Sequence, residues 1–246
     1  MVFIPISDEN PLRAIRLQWV TIGLIAVNVL VFLVGLYALE DGEGAEAAIA
    51  SFAVVPSELF QAPSFGGAAL PAGQTVPVPE LLTLITYQFL HGGILHLISN
   101  MLFLWVFGDN VEDALGHVRF LMFYLLCGIA GGLAHAAFLP SSTLPLIGAS
   151  GAVAGVIAAY LMLHPRVRVW VLAFRFLPLR VPAVWVLGAW VLIQLVMVAL
   201  AADDGVAWWA HVGGMAAGAV LVLFMRRPGV PLFDRGLAPS AIERRS

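Results

Sequence analysis

Residues 120–165 read FLMFYLLCGIAGGLAHAAFLPSSTLPLIGASGAVAGVIAAYLMLHP, a run of 46 positions without Asp, Glu, Lys or Arg. One crossing of a bilayer needs about 20 predominantly apolar residues. The run is therefore too long for a single span. Pro140-Ser141-Ser142-Thr143 with Pro145 interrupts it as a tight turn would. Working outward, four more charge-free stretches are long enough to cross: Leu17–Leu39, Leu81–Phe107, Val181–Ala202 and Gly205–Met225. The expectation is an all-α membrane protein, a six-helix bundle with spans near 19–39, 86–107, 119–138, 147–164, 182–201 and 207–225.

Composition agrees. The 246 residues are 61% hydrophobic and 11% charged, with mean hydropathy +0.96, where soluble chains average about 45–50% and about 25%. This excludes a soluble domain and, equally, a disordered one. A net charge of −3 and the lack of a basic patch interleaved with aromatics argue against nucleic acid as a partner. The lone Cys127 permits no internal disulfide.

Orientation follows from the basic residues. All twelve are Arg. They fall before the first span, between the second and third, between the fourth and fifth, and after the sixth. The opposite loops hold none, and the long one, 40–85, carries six acids from Glu40 to Glu80. Both termini are expected to be cytoplasmic. The Leu59-Phe60 patch of the long loop is read as reaching the membrane interface, and the basic tail as attracted to anionic lipid. The whole chain, 1–246, is read as one domain with short tails. The absence of Lys, with abundant Ala, Val and Arg, favours a bacterial plasma membrane.

Polar side chains inside spans are costly and by default mark function. Asn28, His91, His96, Asn100, His135, Ser150, Gln194 and His211 make up that set. Spans two, four and six start from the same face, which brings His96, Asn100, Ser150 and His211 to a similar depth. His96 and Asn100, at i and i+4, share one helix face; His211, Gly214 and Gly218 likewise share a face of span six. Gly151 and Gly155 form a small-residue stripe that permits close helix approach. If spans four and six pack through these stripes, Ser150 and His211 meet.

A serine beside a base is an activated nucleophile, and a histidine suits the base role near neutral pH. Asn100, His96 and the backbone N–H groups at the start of span four are candidate donors to an oxyanion. No carboxylate lies in spans two, four or six, so the reading is a Ser–His dyad; Asp203 or Asp204 is the alternative third member. Taken singly, each residue has a plainer explanation. Serine in a glycine-rich helix is usually a packing residue, His91 fits an interfacial anchor, and Asn28 and Gln194 fit interhelical hydrogen bonds. His117, His135 and His164 sit near span ends or in a loop. Cys127 reads as a small apolar group. Their joint depth is what favours chemistry for Ser150, His211, His96 and Asn100.

At these residues the chain resembles a known family. Gly148-Ala149-Ser150-Gly151 resembles the nucleophile motif of the rhomboid intramembrane serine proteases. His91-Gly92-Gly93-Ile94-Leu95-His96, followed by Asn100, is similar to their second-helix signature. Ala210-His211-Val212-Gly213-Gly214 with Gly218 is similar to the sixth-helix motif that bears the base. Glu112, Gly116, Arg119 and Phe120 match the stretch after helix two.

The resemblance implies hydrolysis of peptide bonds in or near other proteins' membrane segments, without metal or cofactor. Substrate would enter sideways from lipid, past helix five. It implies Ser150 as nucleophile, His211 as base, and His96, Asn100 and the Ser150 N–H as oxyanion donors. Gly148 would leave room for the loop before Ser150. The alternative is a non-proteolytic rhomboid relative that binds membrane-protein clients; such relatives lose the serine or the histidine. A zinc site is disfavoured, because no His-Glu-x-x-His occurs. Two departures stand out: the first long loop lacks a Trp-Arg pair, and Ala154 replaces a Tyr that stacks on the base.

Overall fold

In the computed structural model of the chain, residues 3–38, 49, 51–60, 78–173, 176–202 and 205–234 are described. Its helices are α1 (Trp19–Ala38), α2 (Pro56–Leu59), α3 (Glu80–Thr86), α4 (Ile94–Leu115), α5 (His117–Phe138), α6 (Ser150–Leu163), α7 (Ala183–Ala199) and α8 (Trp208–Met225). Three strands join them: β1 (Phe3–Asp8), β2 (Arg168–Ala173) and β3 (Leu177–Pro182). By length and composition α1, α4, α5 and α8 can cross a membrane; α6 and α7 are shorter apolar helices of 14 and 17 residues. The long apolar run breaks between Phe138 and Ser150, around the prolines.

The chain is mostly helical rather than all-α. β1, β2 and β3 form an antiparallel sheet in that order. Residues 166–181 read as a basic loop because of their arginines. Yet Arg168-Val169-Trp170-Val171 alternates exposed and buried positions, the period-2 pattern of a half-buried strand. Its partner β1 comes from the far end of the chain. Arg175 lies outside the described residues.

The second span is also displaced from its expected place. The apolar pattern puts it at 86–107, whereas α4 starts at Ile94 and ends at Leu115. Upstream, α3 runs into a 3-10 turn at Tyr87–Phe89, and the chain is extended at Gly93 before α4 begins. Downstream, α4 continues past Asp109, Glu112 and Asp113 because at least two of these carboxylates have built partners. Glu112 is fully buried. It accepts from Val20 N–H (3.0 Å), Thr21 N–H (2.8 Å) and Thr21 Oγ1–H (2.7 Å), satisfying donors that the start of α1 leaves free. Asp113 accepts from the N–H groups of Arg13, Ala14 and Ile15 at 2.7–3.0 Å. Loss of apolarity therefore did not mark the end of this helix. It ends at Gly116, whose φ of +88° disfavours side chains.

At the centre is α6, where every residue from Gly151 to Tyr160 is buried, as a helix apolar on all sides must be. It packs on α8 through glycine. A β-carbon on Gly218 would come within 2.3 Å of Gly155 O. Small residues here exchange side-chain area for close backbone approach. Cys127 fills the space beside Gly155, consistent with its reading as a small buried group.

Part of the long loop between α1 and α3 folds onto the bundle. Leu59 is buried with Val54, Leu84, Tyr87, Ala136, Leu146 and Ala210, so it contacts protein rather than the membrane interface; Phe60 is exposed. Most of the loop, the tail beyond Asp234 and the Asp203-Asp204 pair lie outside the described residues.

Candidate active site

Three helix starts converge on one recess of about 1260 Å³, whose lining includes His96, Asn100, Ser150, Gln194, Trp208 and His211. Ser150 is the first residue of α6, His96 the third of α4 and His211 the fourth of α8. The N–H groups at the start of a helix have no intrahelical acceptor, and the positive end of its dipole lies behind them. None of those six residues is Asp, Glu, Lys or Arg.

Ser150 Oγ lies 2.9 Å from His211 Nε2, a distance at which the hydroxyl donates to the ring nitrogen. His211 is buried. Its other nitrogen, Nδ1, lies 2.7 Å from Gln194 Oε1. Trp190 and Trp208 flank the ring, each with its centroid 6.0 Å away. Ala154 packs in a small cluster with Ala158 and Met215.

The loop before Ser150 is braced from two sides. Leu146 and Val54 exchange backbone hydrogen bonds (2.8 and 3.2 Å), and Gly148 N–H donates to Tyr87 O (2.9 Å). Gly148 has a φ of +124°. A β-carbon there would sit 2.7 Å from His96 Cε1. The glycine therefore both permits the turn and lets the His96 ring lie directly over it. Asn100 is buried, and its amide donates to His96 O at 3.0 Å. His91 meets His96 edge-on at 5.0 Å between centroids. Gly151, Gly214 and Gly218 lie in the contact between α6 and α8.

The structure thus joins Ser150 to His211 and sets His96 and Asn100 in the same recess. Three other polar residues find partners away from the recess. Asn28 donates to Leu24 O of its own helix, His117 bonds Glu112, and His164 packs edge-on against Tyr160. Two further residues join the recess. His135, from the end of α5, lines it. Gln194 makes the interhelical hydrogen bond the sequence suggests, from α7 to α8, and its partner there is the His211 imidazole. Its only sequence signal is one amide in the otherwise apolar segment Val181–Ala202. Among the described residues no group of three or more His, Cys, Asp or Glu is arranged to hold a metal ion.

The arrangement can transfer a proton from a hydroxyl to an imidazole beside clustered hydrogen-bond donors, the requirement for acyl transfer. The chain is 31% identical over 157 residues to RHOMBOID-like protein 6, mitochondrial, of Arabidopsis thaliana, covering 58% of this chain and 50% of that protein. It is 36% identical over 145 residues to RHOMBOID-like protein 4 of the same plant, covering 58% and 34%. It is 45% identical over 82 residues to Rhomboid protease GluP of Bacillus subtilis (strain 168), covering 33% and 16%. The matches thus span half or less of these relatives' own lengths. The family description Rhomboid domain matches residues 78–228. That interval holds α3 through α8 and each of the groups around Ser150, and the chain belongs to the rhomboid family, as an integral membrane protein.

Proposed function

We propose that this chain is an intramembrane serine endopeptidase that hydrolyses peptide bonds in or near the transmembrane segments of other proteins. The single observation behind this reading is the 2.9 Å contact between Ser150 Oγ and His211 Nε2. Ser150 Oγ attacks the scissile carbonyl carbon while its proton passes to His211 Nε2. The developing oxyanion accepts from the Asn100 amide, a ring N–H of His96 and the Ser150 backbone N–H. His211 then protonates the leaving amine, and the acyl-enzyme remains on Ser150. Water, deprotonated by His211, hydrolyses it. Gly148, Gly151, Gly214 and Gly218, with His91 against His96, hold the reacting groups in place. No step calls for a metal or cofactor.

In this reading the bundle has six crossings, with α6 and α7 the short ones and both termini cytoplasmic. The support is the placement of all twelve Arg on one side and the acidic loop on the other. Substrates are membrane-spanning segments that reach the recess sideways from lipid, and lipids surround the rest. The single domain spans 1–246. The lack of Lys is the observation behind assigning a bacterial plasma membrane; the named relatives come from a plant and a bacterium.

The test is labelling of purified protein with a fluorophosphonate or an isocoumarin, alongside cleavage of a single-span substrate. Wild type is expected to label and cleave, unaffected by EDTA, whereas Ser150→Ala and His211→Ala do neither while remaining folded. Wild-type turnover in Ser150→Ala would overturn the proposal. A folded wild type that neither labels nor cleaves would move the chain to the client-binding, non-proteolytic relatives.

A further inference from the structure

His211 is held at both ring nitrogens. Gln194 Oε1 stands 2.7 Å from Nδ1, and Gln194 Nε2 donates to Trp190 O, one turn back on α7, at 3.2 Å. The second bond decides which end of the amide faces the ring. With the NH2 group committed to a carbonyl, the oxygen meets Nδ1, and an amide oxygen only accepts. Nδ1 must therefore carry the proton. The lone pair on Nε2 is left for the Ser150 hydroxyl.

Burial makes the same point. From Gly188 to Ala199, Gln194 is the one buried residue of α7, at 3% exposure. Its neighbours Leu192, Ile193, Leu195 and Val196 are all exposed. An amide inserted alone into an apolar bundle costs desolvation unless its polar atoms are paired. Both ends of this one are paired, and one partner is His211.

We propose that Gln194 is a positioning residue for proteolysis. It holds His211 in the Nδ1–H tautomer with Nε2 aimed at Ser150, the place a carboxylate occupies in a Ser–His–Asp triad. The bond survives when Nε2 takes the serine proton, because Nδ1 remains a donor throughout. This proposal rests on the protease reading of Ser150 and His211.

The experiment compares Gln194→Leu, which cannot accept a hydrogen bond, with Gln194→Glu, which can. Steady-state cleavage of a single-span substrate is measured from pH 5 to pH 9, with fluorophosphonate labelling rates in parallel. Gln194→Leu is expected to lower kcat by roughly 10- to 1,000-fold with little change in KM. Gln194→Glu is expected to restore most of kcat and to displace the acid limb of the kcat/KM profile to higher pH. A residue that merely packs the helix would show neither the rescue nor the displaced limb. Wild-type kcat in Gln194→Leu, or equal losses in both variants with an unmoved limb, would overturn the assignment. If the wild type itself fails to label at Ser150, the protease reading falls and takes this proposal with it. If wild type and Gln194→Leu label equally fast, only the role of Gln194 falls.

Discussion

A β-carbon placed on Gly214 would lie 1.9 Å from the carbonyl oxygen of Gly151, so α6 and α8 touch backbone to backbone beside Ser150 and His211. Gly151 follows Ser150 directly, and Gly214 is three residues beyond His211. The separation of the two helices, and with it the 2.9 Å contact between hydroxyl and imidazole, is set by the absence of side chains at this point.

Gly214→Ala should therefore push the helices apart and separate the pair. A misplacement of about 1 Å can cost on the order of 100-fold in rate, and a loss of at least that size is expected in substrate cleavage, together with a lower unfolding temperature in detergent. Gly188→Ala on α7 is the control, since a β-carbon there meets nothing within 4 Å. Equal behaviour of the two variants would refute the close-contact argument.

Asn100→Ala should slow turnover by about 10- to 1,000-fold, the range for loss of one oxyanion donor. In the proposed reading KM changes little, because an oxyanion donor acts on charge that develops only in the transition state. Kinetics on the purified variant check this; a rise in KM alone would place Asn100 in substrate binding instead.

Glu112 is fully buried and accepts four hydrogen bonds, from Val20, Thr21 (two) and His117. Glu112→Ala strands the donors at the start of α1 and should cost about 3 kcal/mol or more. His117, with its side chain 40% exposed, is a lesser partner, and His117→Ala should cost less than about 1 kcal/mol. Denaturant unfolding in detergent distinguishes the two; comparable losses would contradict the ranking.

Asp8, in β1, is raised from 3.8 to about 6, chiefly by burial and despite the hydrogen bond from Tyr160. Between those values the folded chain keeps a proton that the unfolded chain releases. This contribution is fully present below about pH 4 and is lost as pH rises through about 6, with a span of up to about 3 kcal/mol. Asp8→Asn should flatten that slope. A stability profile from pH 4 to pH 8 tests it, and an unchanged slope would assign the titration elsewhere.

Most of the helical scaffold was legible in the chain. Apolar length located α1, α5 and α8 to within a residue or two, because lipid leaves a helix no alternative to internal backbone bonding. The prolines from 140 to 145 marked where one run becomes two helices. Ser150, His211, His96 and Asn100 stood out because polar groups at matched depth in apolar spans are rare.

What sequence alone determined, then, was the location of apolar length and of the polar atoms that interrupt it, since both are local properties of the chain. Tertiary structure decided the remainder: α4 running on to Leu115, the sheet that unites β1 with β2 and β3, and the amide of Gln194 on the far nitrogen of His211. Each depends on a partner distant in sequence. A carboxylate, a strand edge or a buried amide is costly or tolerable according to what meets it in space, and only folding brings that partner within hydrogen-bond reach.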